Sequence, residues 1–217
     1  FVEKPFCQTE KQYYEIKKFI KLNKVYFSTN FVLRSHPKFL KINEIIKKKK
    51  IGKVYHIEGD YNYGRFEKLT KGWRGKIPFY SVTQGGGIHM IDIMIWLLKS
   101  SPKEVFAIGN NLSSSNTNFK FNDNVVSLIN FNNGATAKVS SNFGSVMPHD
   151  HQMRVFGTKG TLLLSNNKLE FFSSRNPSVK NVKITFPKTK NYKKNILDDF
   201  INIVYNKKNS KILHNKE

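Results

Sequence analysis

From Pro102 onward the chain is cut into short β-forming segments, and this run limits the fold more than any other feature. "EVFAIGNNL", "NVVSLINF", "ATAKVSSNF", "HQMRVFG", "TLLLS", "KLEFFSS" and "NVKITF" follow one another up to about residue 186. Each is rich in β-branched or aromatic residues, which suit a pleated, half-buried surface. The "NNG" at 132–134 and "TKG" at 158–160 supply hairpin punctuation between them.

The upstream half adds helices. "TEKQYYEIKKFIKL" (9–22) reads as a helix, with Thr9 and Gln12 in a capping-box pattern and Tyr13, Ile16, Phe19 and Ile20 at helical spacing. "KVYFSTNFVLRS" (24–35) predicts a strand. Ser35 is the expected cap of a second helix, with Pro37 in its first turn and Phe39, Leu40, Ile42, Ile45 and Ile46 as its apolar positions. "KVYHIEGDYNY" (53–63) predicts a period-two strand, and residues 64–83 lack periodicity, as a functional or mobile loop would. Residues 86–98 read as a buried helix, and 192–206 as a last helix with Ile196, Phe200, Ile203 and Val204 on one face. The fold class is therefore α+β: a large, mainly antiparallel open sheet with helices on one face. The other face is expected to be more polar or used for oligomer contact.

Charge excludes less than it suggests. The net charge is +22, from 37 Lys and Arg against 15 Asp and Glu. The excess is mostly lysine scattered along the chain, alongside abundant Asn and Ile, as an AT-rich genome would produce. The one run, "KKKK" at 47–50, falls at an expected helix end, where cations suit the macrodipole. No specific nucleic-acid partner is expected. No apolar run reaches the roughly 18 residues of a spanning helix, so no membrane partner is expected either. The opening residues lack signal-peptide order, and the single Cys7 fits a reducing compartment, so a cytoplasmic location is expected. The chain opens on Phe1 in mid-pattern and reads as a fragment.

Chemistry concentrates in "QGGGIHMIDIMIWLL" (84–98). His89, Asp92 and Trp96 share one stripe of an otherwise apolar helix. Buried polar groups must be paired, so either Asp92 satisfies His89 or a neighbouring backbone group within a core, or the stripe faces a cleft and His89 acts as a base near neutral pH. Gly85, Gly86 and Gly87 either let a ligand approach free N–H groups at a helix start or form a tight loop. Lys4 precedes Pro5 and is thereby held extended, either aimed into a cleft or at the surface. "MPHDH" contributes His149, Asp150 and His151, but with no cysteine pair beside them no metal site is expected, and contact with a polar substrate is the better reading. "YNYGR" and "GWR" bring aromatics together with Arg65 and Arg74, a set suited to stacking on a sugar and gripping an anionic group. No G-x-G-x-x-G follows a strand, so these residues alone do not build a dinucleotide site.

Taken in order, "FVEKP", "FVLRSHPKFLKINEIIKKKKIGKVYHIEGDYNYGR", "GGGIHMIDIMIWLL", "DNVVSLINFNNGATAKVSSNFG" and "MRVFGTKGTLLL" resemble the glucose–fructose oxidoreductase / inositol dehydrogenase (Gfo/Idh/MocA) family along nearly the whole chain. The resemblance implies a Rossmann domain followed by an α/β domain on a large open sheet. Residues 1–23 would be the end of the Rossmann domain, and 24–217 a substrate and oligomerisation domain, incomplete at its C-terminus. It implies NAD or NADP as cofactor, a sugar, cyclitol or nucleotide-sugar as substrate, and a homodimer or homotetramer formed through the sheet. Lys4 would match the lysine near nicotinamide and substrate, with Glu3 and Pro5 beside it, and His89 the catalytic histidine. Many members carry an aspartate four residues before that histidine, where this chain has Gly85; Asp92 is the possible support instead. Arg34, Asn62, Arg65, Trp73, Arg74, His149 and His151 are the candidate substrate contacts. The alternatives are a non-catalytic binding or assembly protein of the same fold and, further off, a basic nucleic-acid binder.

Overall fold

The computed structural model describes residues 1–188 and 191–206. They form two compact units, one of Phe1–Leu40 with the residues from Lys188 onward, the other of Lys41–Pro187. Compactness divides after residue 40, and residues 207–217 of the expected second domain lie outside the described residues.

In the first unit, helix α1 (Glu10–Asn23) carries the capping box that its sequence predicts: the Gln12 N–H donates to Thr9 Oγ1, and the Thr9 N–H to Gln12 Oε1, both at 3.2 Å. On either side of α1, Val2 and Thr29 form a parallel bridge. This is a β–α–β crossover in its smallest form, the connection that parallel strands require. The strand expected over 24–35 reduces to that single bridge. Val25 and Tyr26 stay 45% and 51% exposed, so their apolar character finds no ladder in this unit. The chain then coils into a 3-10 helix, Val32–Ser35, which buries Leu33.

Helix α2 (Pro37–Lys47) starts at the proline, yet Ser35 does not cap it. The Ser35 hydroxyl lies 2.9 Å from the Val32 carbonyl and 2.7 Å from that of Tyr192. His36 takes the capping position: its Nδ1 accepts from the Lys38 N–H at 3.3 Å and its carbonyl from the Leu40 N–H. Burial, then the Lys38 charge, lowers the His36 pKa to about 4, which keeps that ring nitrogen an acceptor at neutral pH. Helix α5 (Tyr192–Asn206) closes the unit with Ile196 buried, Phe200 against Phe1 at 5.5 Å and Tyr192 against His36 at 4.3 Å.

The second unit holds the sheet. Its strands are β1 (Val54–Asn62), β2 (Pro102–Asn110), β3 (Asn124–Phe131), β4 (Thr136–Asn142), β5 (Asp150–Gly157), β6 (Gly160–Ser165), β7 (Lys168–Phe172) and β8 (Val182–Ile184). Among the described residues their order is β2-β3-β4-β1-β5-β6-β7-β8. Every neighbouring pair is antiparallel except β1 and β4, so the sheet is mainly antiparallel, as its short-segment pattern requires. Both hairpin signals fall at turns, with Gly134 at φ 82° in the first.

One face of the sheet is the core. Ile57 and Tyr61 of β1, Ala137 and Val139 of β4, Met153 and Val155 of β5, and Leu162 and Leu164 of β6 are buried at alternating positions. Helix α4 (Ile88–Leu98) lies on this face, burying Met90, Ile93, Met94, Trp96 and Leu97. Each such side chain contributes about 1.5–3 kcal/mol on leaving water. Gly59 of β1 makes the close approach possible, because a Cβ there would meet Met94 Cε at 2.7 Å and Met90 Cε at 2.8 Å. The opposite face of β1 carries ion pairs, Glu58 with Arg154 at 3.0 Å and Asp60 with Lys138 at 3.2 Å. Among the described residues no helix is long and apolar enough to cross a membrane.

Candidate functional site

The aperiodic stretch 64–83 is less of a loop than its sequence suggests. It contains a short helix, α3 (Phe66–Thr70), and a 3-10 turn, Trp73–Gly75, and it then runs into a π-helical turn, Thr83–Gly87, continuous with α4. The Ile88 N–H reaches back five residues to the Thr83 carbonyl. Turns of this width are rare and mark functional sites often.

The three glycines explain how the turn fits. Gly85 donates its N–H to the Ser81 carbonyl at 2.8 Å, so this is helix interior and not a row of free donors. A Cβ on Gly85 would collide with the Tyr80 hydroxyl, on Gly86 with the rings of Tyr61 and Phe143, and on Gly87 with the Ser141 side chain. The missing side chains make room for neighbours within the protein, pressing the start of α4 onto β1 and β4. That seating brings His89 alongside Tyr61, with ring centroids 6.1 Å apart and planes within 18°.

Tyr61 is the hub of the cluster that results. It faces Phe143 at 5.9 Å, His149 at 5.3 Å and His151 at 4.9 Å, and the two histidines are 4.7 Å apart. Strand register produces this: Tyr61 pairs with His151 across β1 and β5, so both project from the same face. Tyr63, just past the strand, stacks on Phe143 at 4.4 Å. The guanidinium carbons of Arg65 and Arg74 lie 5.6 Å and 5.8 Å from the Tyr63 ring centroid. Arg74 also packs on Trp73 at 4.8 Å and donates from Nε to the Tyr80 hydroxyl at 3.0 Å.

Burial sets the protonation of the cluster. It pushes the Tyr61 and Tyr80 phenols up, so both keep their protons. It also lowers the pKa of His149, helped by the Arg65 charge. His149 Nδ1 lies 3.0 Å from the Asn62 carbonyl and therefore donates to it, which leaves Nε2 as an acceptor in the neutral ring. His89 and Asp92 are buried, at 7% and 6% exposure, and both lie on α4.

The second unit therefore brings His89, Asn62, Arg65, Trp73, Arg74, His149 and His151 to one end of β1, through the ring contacts of Tyr61 and Tyr63 and the Arg74–Tyr80 bond. Glu3, Lys4, Pro5 and Arg34 belong to the first unit. There the Lys4–Pro5 peptide is cis, Glu3 accepts from Asn30 at 2.6 Å, Lys4 is half-buried beside the Val2–Thr29 bridge and Arg34 is buried. Sequence reasoning passed over Tyr80 and Phe143. Their place follows from packing against the glycines and rings across the turn, and no sequence spacing signals that. Among the described residues no group of three or more His, Cys, Asp or Glu is placed to hold a metal ion.

The mainly antiparallel open sheet with helices on one face is the architecture of a Gfo/Idh/MocA C-terminal domain. Residues 39–163 match the GFO/IDH/MocA C-terminal domain, and the chain belongs to that family. The uncharacterised oxidoreductase YrbE of Bacillus subtilis (strain 168) is 28% identical over 177 residues, 77% of this chain and 48% of that protein. The chain thus spans about half the length of the curated relative it matches. The aldose–aldose oxidoreductase of Caulobacter crescentus, crystallised with glycerol, superposes with a TM-score of 0.79 at 16% identity, covering 97% of this chain and 63% of that one. An inositol dehydrogenase homologue of Azotobacter vinelandii, in complex with NADH and myo-inositol, gives 0.74 at 17% identity, covering 92% and 57%. At these identities the likeness is one of fold.

Proposed function

We propose that the complete protein carrying this chain is an NAD(P)-dependent oxidoreductase acting on a hydroxyl or carbonyl of a sugar, cyclitol or nucleotide-sugar. The carrying observation is the seating of a histidine, His89, on Tyr61 at the end of β1, within a family whose B. subtilis relative is an oxidoreductase. The fit to a dinucleotide within this chain is confined to Glu3, Lys4 and Pro5. They directly follow Val2, which bridges Thr29 in parallel across α1, the arrangement of a small β–α–β unit. The phosphate-cradling glycine motif is not among the 217 residues. When bound, the nicotinamide supplies the hydride acceptor or donor.

The chain's own residues handle the proton and the pose. His89 accepts the hydroxyl proton as the carbinol carbon is oxidised, and returns it in the reverse direction. The resemblance gives Lys4 the second role, a cation that stabilises developing alkoxide charge. Neutral His149 offers Nε2 to a sugar hydroxyl, and the Tyr61 and Tyr63 rings form an apolar wall for it. Where many members carry an aspartate, the space beside Gly85 is taken by the Tyr80 hydroxyl, itself bonded to Arg74. The same reading includes a cytoplasmic setting, consistent with the free thiol of Cys7. It also includes self-association as a dimer or tetramer through the sheet, on which Val105, Phe106 and Ile108 of β2 are 59–67% exposed.

The test is appearance of reduced nicotinamide when the complete protein meets NAD or NADP with a panel of sugars, cyclitols and nucleotide-sugars. Turnover of any of them is expected. Absence of turnover with all of them, by a folded protein that binds dinucleotide, contradicts the reading and favours a non-catalytic binding protein.

A further inference from the structure

We infer that the substrate carries an anionic group, phosphate or carboxylate, and that Arg65 and Arg74 grip it over the ring of Tyr63. This deepens the reading above by naming the charge class of the substrate, and it rests on that reading for the sugar part.

Two guanidinium groups converge on one ring. Arg65 follows β1, and Arg74 sits in the 3-10 turn Trp73–Gly75, yet both lie within 5.8 Å of the Tyr63 centroid. Among the described residues neither has a carboxylate within salt-bridge distance, whereas on the other face of the sheet Arg154 is paired with Glu58 and Lys138 with Asp60. With no carboxylate at either guanidinium and both set against the Tyr63 ring, each charge is open to an anionic group that reaches that ring. Arg65 acts on this neighbourhood already, as its charge helps to lower the His149 pKa.

The choice of residue points the same way. The chain has five arginines among its 37 basic residues, and two of those five meet here. A lysine would supply the charge, but only a guanidinium offers a planar fork of donors and stacks on an aromatic face. The Tyr80 hydroxyl engages Arg74 at Nε alone, which leaves its two terminal amino groups for a bidentate grip. His149 borders the Tyr63 ring, His151 borders Tyr61 beside it, and both suit the hydroxyls of the attached sugar.

The test is calorimetric titration of the complete protein, with dinucleotide present, using glucuronate, glucose 6-phosphate and UDP-glucose as charged probes and glucose and myo-inositol as neutral ones. The three charged probes separate carboxylate, monophosphate and diphosphate as the source of the charge. At least one is expected to bind about tenfold or more tighter than either neutral probe, the scale of one or two charge-assisted hydrogen bonds. The double variant Arg65→Gln/Arg74→Gln should lose that preference while keeping its melting temperature, and Arg74→Lys should keep part of it. Neutral probes binding as tightly as every charged one, no binding by any probe, or an unchanged preference in a folded double variant would overturn the inference. Hydride transfer from neutral sugars without charge preference would sink this inference and leave the oxidoreductase reading standing. Charge-selective binding with no hydride transfer would do the reverse.

Discussion

Strands β1 and β2 are each nine residues long and stand three places apart in one sheet, yet they live in different surroundings. In β1 every second residue from Ile57 to Tyr61 faces α4 or its π-helical start, and the end of the strand carries the histidine and arginine cluster. In β2 all nine residues are exposed, including three large apolar ones. Composition does not separate them, since both read as strands with bulky side chains. Position in the strand order does: a central strand collects helices and a site, and an edge strand keeps a bare ladder of donors and acceptors.

The sharpest way to break the comparison is to truncate one apolar residue in each strand. Ile57→Ala should cost about 2–5 kcal/mol in a denaturant melt, through the cavity it leaves under α4. Val105→Ala should stay within about 0.5 kcal/mol in the isolated chain, as exposed positions do. Equal losses would mean that β2 is covered.

Next in size is the seam between the π-helical turn and β1. Gly86→Ala forces a methyl against Tyr61 and Phe143, rings that are packed and do not swing aside, and should cost about 1–3 kcal/mol. A neutral result in the same melt would show that the turn is not pressed onto the strand. On the opposite face of β1, Glu58→Gln breaks the ion pair with Arg154, which is more than half exposed on the arginine side. That loss should stay below about 1 kcal/mol and shrink further in high salt.

The smallest effect is a pH effect at the end of β1. The folded-state pKa of His149 is lowered, so it contributes stability that is present above the unfolded value of about 6.5 and is lost as pH falls toward the lowered value. Arg65→Gln removes one cause of the lowering, so an NMR titration of the His149 ring should show its pKa rise. An unchanged midpoint would place Arg65 away from the cluster.

Much of the sheet was legible because its signals are local. The segments read from residues 53–63 and 104–186 all became strands, and Gly134 turned where "NNG" stood. The parallel pairing of β1 with β4 was not legible, since strand order is a long-range property. Residues 24–35 misled because β propensity presumes a partner, and among the described residues of the first unit only Val2 provides one. Ser35 misled for a related reason: capping depends on where the helix begins, and Pro37 moved that start past it to His36. In the site, His89 and the two arginines stood out by residue type. Tyr80 did not, because its place against Gly85 follows from how the π-helical turn packs.

The central claim is that His89 moves the proton in a nicotinamide-dependent reaction. It is tested most directly in the complete protein by measuring kcat for its best substrate before and after His89→Gln, a polar change of similar volume that removes the base. The expected result is a fall of about 10²–10⁴ in kcat with the melting temperature retained. Full turnover by a folded His89→Gln protein would contradict it.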